Sequence, residues 1–138
     1  KLLAEGNSMY NTPPCWCIYM AKLAFEWILS IGGLEEMKRR NEKKASLLYD
    51  YLDSQSYYTA PVNKKCRSMM NVIFHTGDGA LDKKFVKEAA EAGLQNLEGH
   101  SSIGGLRASI YNAMSYEGVE KLVAFMKDFA RDNIKIQR

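Results

Sequence analysis

Two segments of this chain carry residue types whose spacing could do chemistry. The first is Gly99-His-Ser-Ser-Ile-Gly-Gly-Leu-Arg107, in which three glycines surround a histidine and two serines ahead of an arginine. Glycines let a backbone approach a ligand closely. His100, Ser101 and Ser102 can donate hydrogen bonds. Arg107 opens a β-prone run, and its guanidinium could grip a carboxylate through two donors at once. The competing reading is a tight turn with Arg107 in a surface salt bridge, and the residues alone leave both open. The segment is neither a Walker loop nor a dinucleotide fingerprint, because no Gly-Lys-Ser/Thr follows and no helix opens after it.

The second segment is Asn11-Thr12-Pro13-Pro14. It reads as a helix start, with Thr12 as the N-cap and Pro13 at the first helical position, where no amide donor is needed. An amide, a hydroxyl and the free donors of a helix N-terminus together make an anion site. Thr-Pro helix starts are also common as plain structure. Metal and thiol chemistry have less to work with. The three cysteines Cys15, Cys17 and Cys66 are an odd count, and a C-x-C pair is a poor disulfide and a poor metal clamp. They read as reduced thiols of a cytoplasmic protein. His75 and His100 are far apart with no C-x-x-C nearby, so no metal site is expected.

These segments must be positioned by a chain of 138 residues, which is about one domain. Its 46% apolar and 25% charged residues exclude disordered and low-complexity architectures. A net charge of +3 is too small to imply a nucleic-acid partner. The longest apolar stretch, Cys15 to Ile31, contains Lys22 and Glu26 and is too short for a membrane span. It reads as a buried helix, apolar on nearly all sides, that needs a partner surface the chain does not supply. A second helix follows from Leu34 to Leu52, its charged face from Glu35 to Lys44 read as solvated.

The period then changes. Residues 57–60 and 70–76 read as strands, 81–92 as an amphipathic helix, 94–98 and 106–111 as strands, and Tyr116 to Asp132 as the last helix. The order α-α-β-β-α-β-β-α predicts an α/β class, an α+β small domain in which helices pack on a small mixed sheet. The expected division is a joining segment over 1–33, a small domain over 34–132 and a tail over 133–138. The chain opens at Lys1 without an initiator Met or a targeting pattern, so a fragment or a processed chain is expected.

Four motifs in one order carry a family resemblance: Asn11-Thr-Pro-Pro14, Gly32-Gly-Leu34, Arg67-Ser-x-Met-Asn71 and Gly99-His-x-Ser-Ile-Gly-Gly-Leu-Arg-Ala-Ser-Ile-Tyr-Asn-Ala113. Over nearly its whole length the chain resembles the C-terminal part of phosphoserine aminotransferase. The resemblance implies a pyridoxal-phosphate transaminase of the aspartate-aminotransferase fold type, with the chain as its C-terminal small domain plus the segment leading into it. It further implies conversion of 3-phosphohydroxypyruvate and glutamate to O-phosphoserine and 2-oxoglutarate, in serine biosynthesis, by a homodimer with its active site at the subunit interface.

Carried over by residue, Asn11 and Thr12 match the pair that binds the pyridoxal phosphate of the neighbouring subunit. Arg107 matches the arginine on the substrate α-carboxylate, and His100 a histidine near the substrate phosphate. The family's arginine after that histidine is Ser101 here, which replaces a permanent cation by a hydroxyl. Lys64 and Lys65 are candidates for a substitute cation. The Schiff-base lysine, the aspartate on the pyridine nitrogen and the stacking aromatic lie upstream of Asn11 in the family. The 138 residues alone are therefore expected neither to transaminate nor to keep the cofactor. A free-standing small-molecule-binding or dimerisation module sharing this fold is the alternative reading.

Overall fold

The structure is a computed structural model that describes residues 1–134. Its helices are α1 (Leu2–Glu5), α2 (Cys15–Ser30), α3 (Gly33–Ser54), α4 (Gly79–Glu91) and α5 (Tyr116–Asn133), and its strands are β1 (Asn71–Phe74) and β2 (Leu106–Ser109). Contacts divide the chain into two units, 1–37 and 38–138.

In the first unit, the predicted lead-in is partly helical, as α1. The helix start at Asn11-Thr12 is displaced from the expectation. Pro14 is the N-cap of α2, it makes no side-chain cap bond, and Cys15 is the first helical residue. The second proline takes the cap position because its ring, like that of Pro13, supplies no N–H to extend the helix backwards. Thr12 is thus two residues ahead of the cap. The expectation of a buried α2 is also corrected: none of its residues is buried, and Trp16 and Leu29 are both 72% exposed. Among the described residues, no single helix is long and apolar enough to cross a membrane.

In the second unit, β1 and β2 pair antiparallel, with Val72 opposite Ala108 and Ile73 opposite Arg107. The expected mixed sheet is therefore a two-stranded antiparallel one. The predicted strands at 57–60 and 94–98 contribute one bridge each, Thr59 to His75 and Glu98 to Leu106, both antiparallel. Pro61, which lacks an N–H, follows the first bridge, and Asn96, at φ 60°, interrupts the second segment. Alternation sorts the sheet into two faces. Val72, Phe74, Leu106 and Ala108 are buried, whereas Asn71, Ile73, Arg107 and Ser109 lie half-buried on the outer face.

The inner face joins a core with Leu48 and Leu52 of α3, Phe85 and Ala89 of α4, and Val119, Leu122, Met126 and Phe129 of α5. Tyr58 meets Phe74 and Phe85 edge-on at centroid distances of 5.8 and 6.0 Å. Each such ring pair adds about 0.5–1.5 kcal/mol beyond its area burial. The Tyr58 hydroxyl donates to the Met126 carbonyl at 2.9 Å, so this buried phenol is satisfied. The helices start where side chains can cap them. Asp78 accepts from Ala80 N–H at 2.7 Å and Ser115 from Gly118 N–H at 3.1 Å. At the other end α5 outlasts the predicted boundary: Asn133 is buried and accepts from Lys84 at 2.7 Å. Residues 135–138 of the predicted tail lie outside the described residues.

One side chain overturns its sequence reading outright. Lys44, placed on a solvated helix face, is 2% exposed. Its ammonium donates to the carbonyls of Tyr111 at 2.7 Å, Met114 at 2.9 Å and Ile110 at 3.3 Å. Desolvation lowers its pKa from the ordinary 10.5.

The polar connection between Pro61 and Ser68 is tied to α3 by Asp53. Arg67 forks onto its two carboxylate oxygens at 2.9 and 2.7 Å, and Lys64 reaches it at 2.8 Å. The bonds from Arg67, then Lys64, hold the Asp53 carboxyl well below its ordinary 3.8. The folded-state value is below the unfolded one, so the stabilisation is complete above 3.8 and is lost progressively as pH falls toward the folded value. In melting curves from pH 7 to pH 2, the gap between wild type and Asp53→Asn should close only below about pH 4. A gap independent of pH would show that the charge of Asp53 contributes nothing.

Candidate functional site

The loop between Leu97 and Arg107 is closed by its own backbone. Arg107 N–H donates to Leu97 O and Gly99 N–H to Gly105 O, both at 2.9 Å, and Ile103 and Gly104 N–H both donate to His100 O. Two glycines are obligatory. A Cβ on Gly99 would overlap the Gly104 carbonyl, and Gly105 sits at φ +67° with Phe74 O 3.1 Å from where its Cβ would be. Gly99→Ala should therefore cost roughly 2–4 kcal/mol in urea denaturation, whereas Ile103→Ala on the exposed tip costs under about 1. Equal losses would contradict this account of the loop.

The loop lies against the outer face of the sheet and borders a half-open cavity of about 250 Å³ whose walls include His100, Ile103, Arg107, Asn71 and Tyr111. Thus His100 and Arg107, seven positions apart, face one space. Arg107 enters it without a partner. Its Nε is buried with no hydrogen bond, and no acidic side chain among the described residues pairs with the guanidinium. A buried guanidinium donor left unpaired is costly. The surface salt bridge that competed with a ligand role is absent among the described residues, and the orphaned donor suits an incoming carboxylate.

His100 is oriented by Ser102, which the sequence reading noted as a donor but did not assign to the site. Ser102 N–H donates to His100 Nδ1 at 3.3 Å, and the Ser102 hydroxyl lies 2.8 Å from the same nitrogen. The backbone donor makes Nδ1 an acceptor, so in the neutral ring the proton sits on Nε2, free to meet an anion.

Ser101 is placed differently. It lines an adjoining groove of about 580 Å³ between the loop and α4, shared with His100, Lys83, Lys87, Asp82 and Glu98. Lys64, a suggested substitute cation, is engaged by Asp53, and neither it nor Lys65 lines the cavity or the groove. Lys83 and Lys87 are the lysines on the Ser101 side.

Asn11 and Thr12 belong to the first unit, where both are exposed. Their side chains make no hydrogen bond among the described residues. Cys15 N–H donates to Pro13 O and Ile18 N–H to Pro14 O, so the amides of Trp16 and Cys17 are the open donors of α2. An amide, a hydroxyl and two helix N–H groups are donors of the kind that a phosphate accepts from. All three cysteines are free and exposed.

A glycine-braced loop over a sheet face with an unpaired arginine has the donor chemistry that an anion would need. The chain belongs to the class-V aminotransferase family, whose model matches residues 1–122. Among its relatives, the phosphoserine aminotransferase of Streptococcus agalactiae is 51% identical over 134 residues, 96% of this chain and 37% of that protein. The one of Listeria monocytogenes is 54% identical over 130 residues, 94% of this chain and 36% of the relative.

Solved structures agree. Phosphoserine aminotransferase from Bacillus circulans subsp. alkalophilus superposes with a TM-score of 0.90 at 47% identity, over 95% of this chain and 37% of that one. The pyridoxal-phosphate-bound enzyme from Trichomonas vaginalis gives 0.84 at 40% identity, over 91% and 36%. The chain therefore spans a little over a third of the length of the relatives it matches.

Proposed function

We propose that these residues are the substrate-carboxylate part of a pyridoxal-phosphate transaminase acting on phosphoserine and glutamate, and form its C-terminal small domain with the segment leading into it. The observation that carries this reading is Arg107, whose Nε is buried and unpaired beside His100 in one cavity. The cofactor, when bound, supplies the electron sink that lets an amino group pass between amino and keto acids. Arg107 fixes the substrate by its α-carboxylate, so that one end of every substrate, glutamate or phosphoserine, is held alike. His100 donates from Nε2 to the substrate's phosphate. Asn11 and Thr12 hold the cofactor phosphate of a neighbouring subunit. The exposed apolar residues of α2 pack against the remainder of a longer, homodimeric, cytoplasmic protein.

The test is a chimera that joins this chain to the upstream part of the Streptococcus agalactiae relative. It should bind pyridoxal phosphate and release 2-oxoglutarate from glutamate in the presence of 3-phosphohydroxypyruvate, while the 138-residue chain alone should not. A folded, cofactor-loaded chimera without activity would overturn the proposal. In the same chimera, Ser101→Arg should raise the preference for phosphorylated over unphosphorylated substrate about tenfold, the usual worth of one added charge-assisted bond. An unchanged ratio would place Ser101 away from the phosphate.

A further inference from the structure

The motif Arg67-Ser-x-Met-Asn71 ends on a residue that the proposal above leaves without a role. The register of the sheet sets Asn71 opposite Ser109 and Ile73 opposite Arg107, all on the outer face. Asn71 and Arg107 both line the 250 Å³ cavity, together with Tyr111. The Asn71 amide is held by its oxygen. Tyr111 hydroxyl donates to Oδ1 at 3.2 Å and Ser109 hydroxyl at 3.3 Å. Its Nδ2 has no partner among the described residues.

We infer that Asn71 is a second carboxylate-binding residue of this cavity, with its amide N–H₂ turned to the ligand by Tyr111 and Ser109. The inference rests on the reading of Arg107 as the carboxylate anchor and extends it. A carboxylate offers about four lone-pair sites, and a forked arginine takes two of them. A neutral amide donor beside the guanidinium takes a third without adding charge, and so restricts the cavity to a planar, two-oxygen group. Tyr111 is a positioning residue. Although its ring is half exposed, its carbonyl is pinned by Lys44 at 2.7 Å, and Asn41 holds the neighbouring Asn112 at 2.8 Å. Helix α3 thereby fixes the segment from which the phenol reaches Asn71.

The test is a titration of the 138-residue chain with succinate, a dicarboxylate that cannot react. It is followed by nuclear magnetic resonance at the Arg107 Nε–H and the Asn71 side-chain amide. Both signals should move with one midpoint. Asn71→Leu should weaken succinate about tenfold while the Arg107 signal still responds. Tyr111→Phe should weaken it by a smaller factor and shift the Asn71 amide before any succinate is added. If the Arg107 signal moves and the Asn71 amide does not, the role of Asn71 is overturned while the reading of Arg107 stands. If neither moves, both are overturned. The wild-type titration decides this even if Asn71→Leu does not fold.

Discussion

In the chimera, Arg107→Ala should lower kcat/KM for glutamate by roughly 30- to several-thousandfold and leave cofactor loading unchanged. The range corresponds to about 2–5 kcal/mol, the cost of truncating one side of a desolvated, hydrogen-bonded charge pair. The loss should appear in KM as well as kcat, because the carboxylate is held in the ground state too. Arg107→Lys keeps the charge but not the fork, so it should recover only part of the loss. The variant itself should fold. The Arg107 side chain makes no hydrogen bond or ion pair among the described residues, so removing it deletes an unsatisfied donor and breaks no polar contact. Wild-type stability with lost activity is the expected signature, and unchanged glutamate kinetics would contradict the assignment.

The largest effect on stability should come from Lys44. Lys44→Met preserves the stem but leaves the carbonyls of Ile110, Tyr111 and Met114 without their shared donor. Buried and part-buried acceptors that lose a charged donor cost roughly 2–5 kcal/mol in total, with the Tyr111 carbonyl still accepting from Met114 N–H. Its neighbour Lys43 provides the comparison. That ammonium lies over the Tyr116 ring at 4.0 Å on the exposed side of the helix. Lys43→Met should cost about 0.5–1 kcal/mol, as an exposed cation–π contact does. Urea denaturation of the two variants would separate them clearly. Equal losses would mean that burial of Lys44 carries no more weight than a surface contact.

The two lysines also show where sequence reading stops. Helical spacing located α3 to within two residues at either end, because a 3.6-residue period is written in residue type. It could not show that Lys44 faces inward, since a charged lysine is buried only where acceptors converge, and here these are carbonyls of residues more than sixty positions later. The strands were legible as alternation, but their length was not. Pro61 and the left-handed Asn96 stop the outer segments after one bridge each, a fact of backbone geometry rather than of hydrophobic pattern.

For the site, the glycines and Arg107 were visible because their chemistry is rare and close in sequence. The same spacing suggested one cluster of His100, Ser101 and Arg107, whereas the loop puts Ser101 in the α4 groove, Arg107 in the cavity and His100 at the border of both. Asn71 was quoted only as part of a motif. What gives it a part in the site is the pairing of β1 with β2, which no local pattern records. The N-cap expected of Thr12 was displaced because two prolines in a row offered two possible starts, and the helix took the later one.

The central claim is that the Arg107 cavity holds the substrate's α-carboxylate. The most direct measurement is a crystal structure of the cofactor-loaded chimera with 2-oxoglutarate bound. The account predicts a carboxylate inside the cavity, paired with the Arg107 guanidinium at charge-assisted distances of about 2.7–2.9 Å. A 2-oxoglutarate molecule ordered elsewhere, with Arg107 still unpaired, would contradict it.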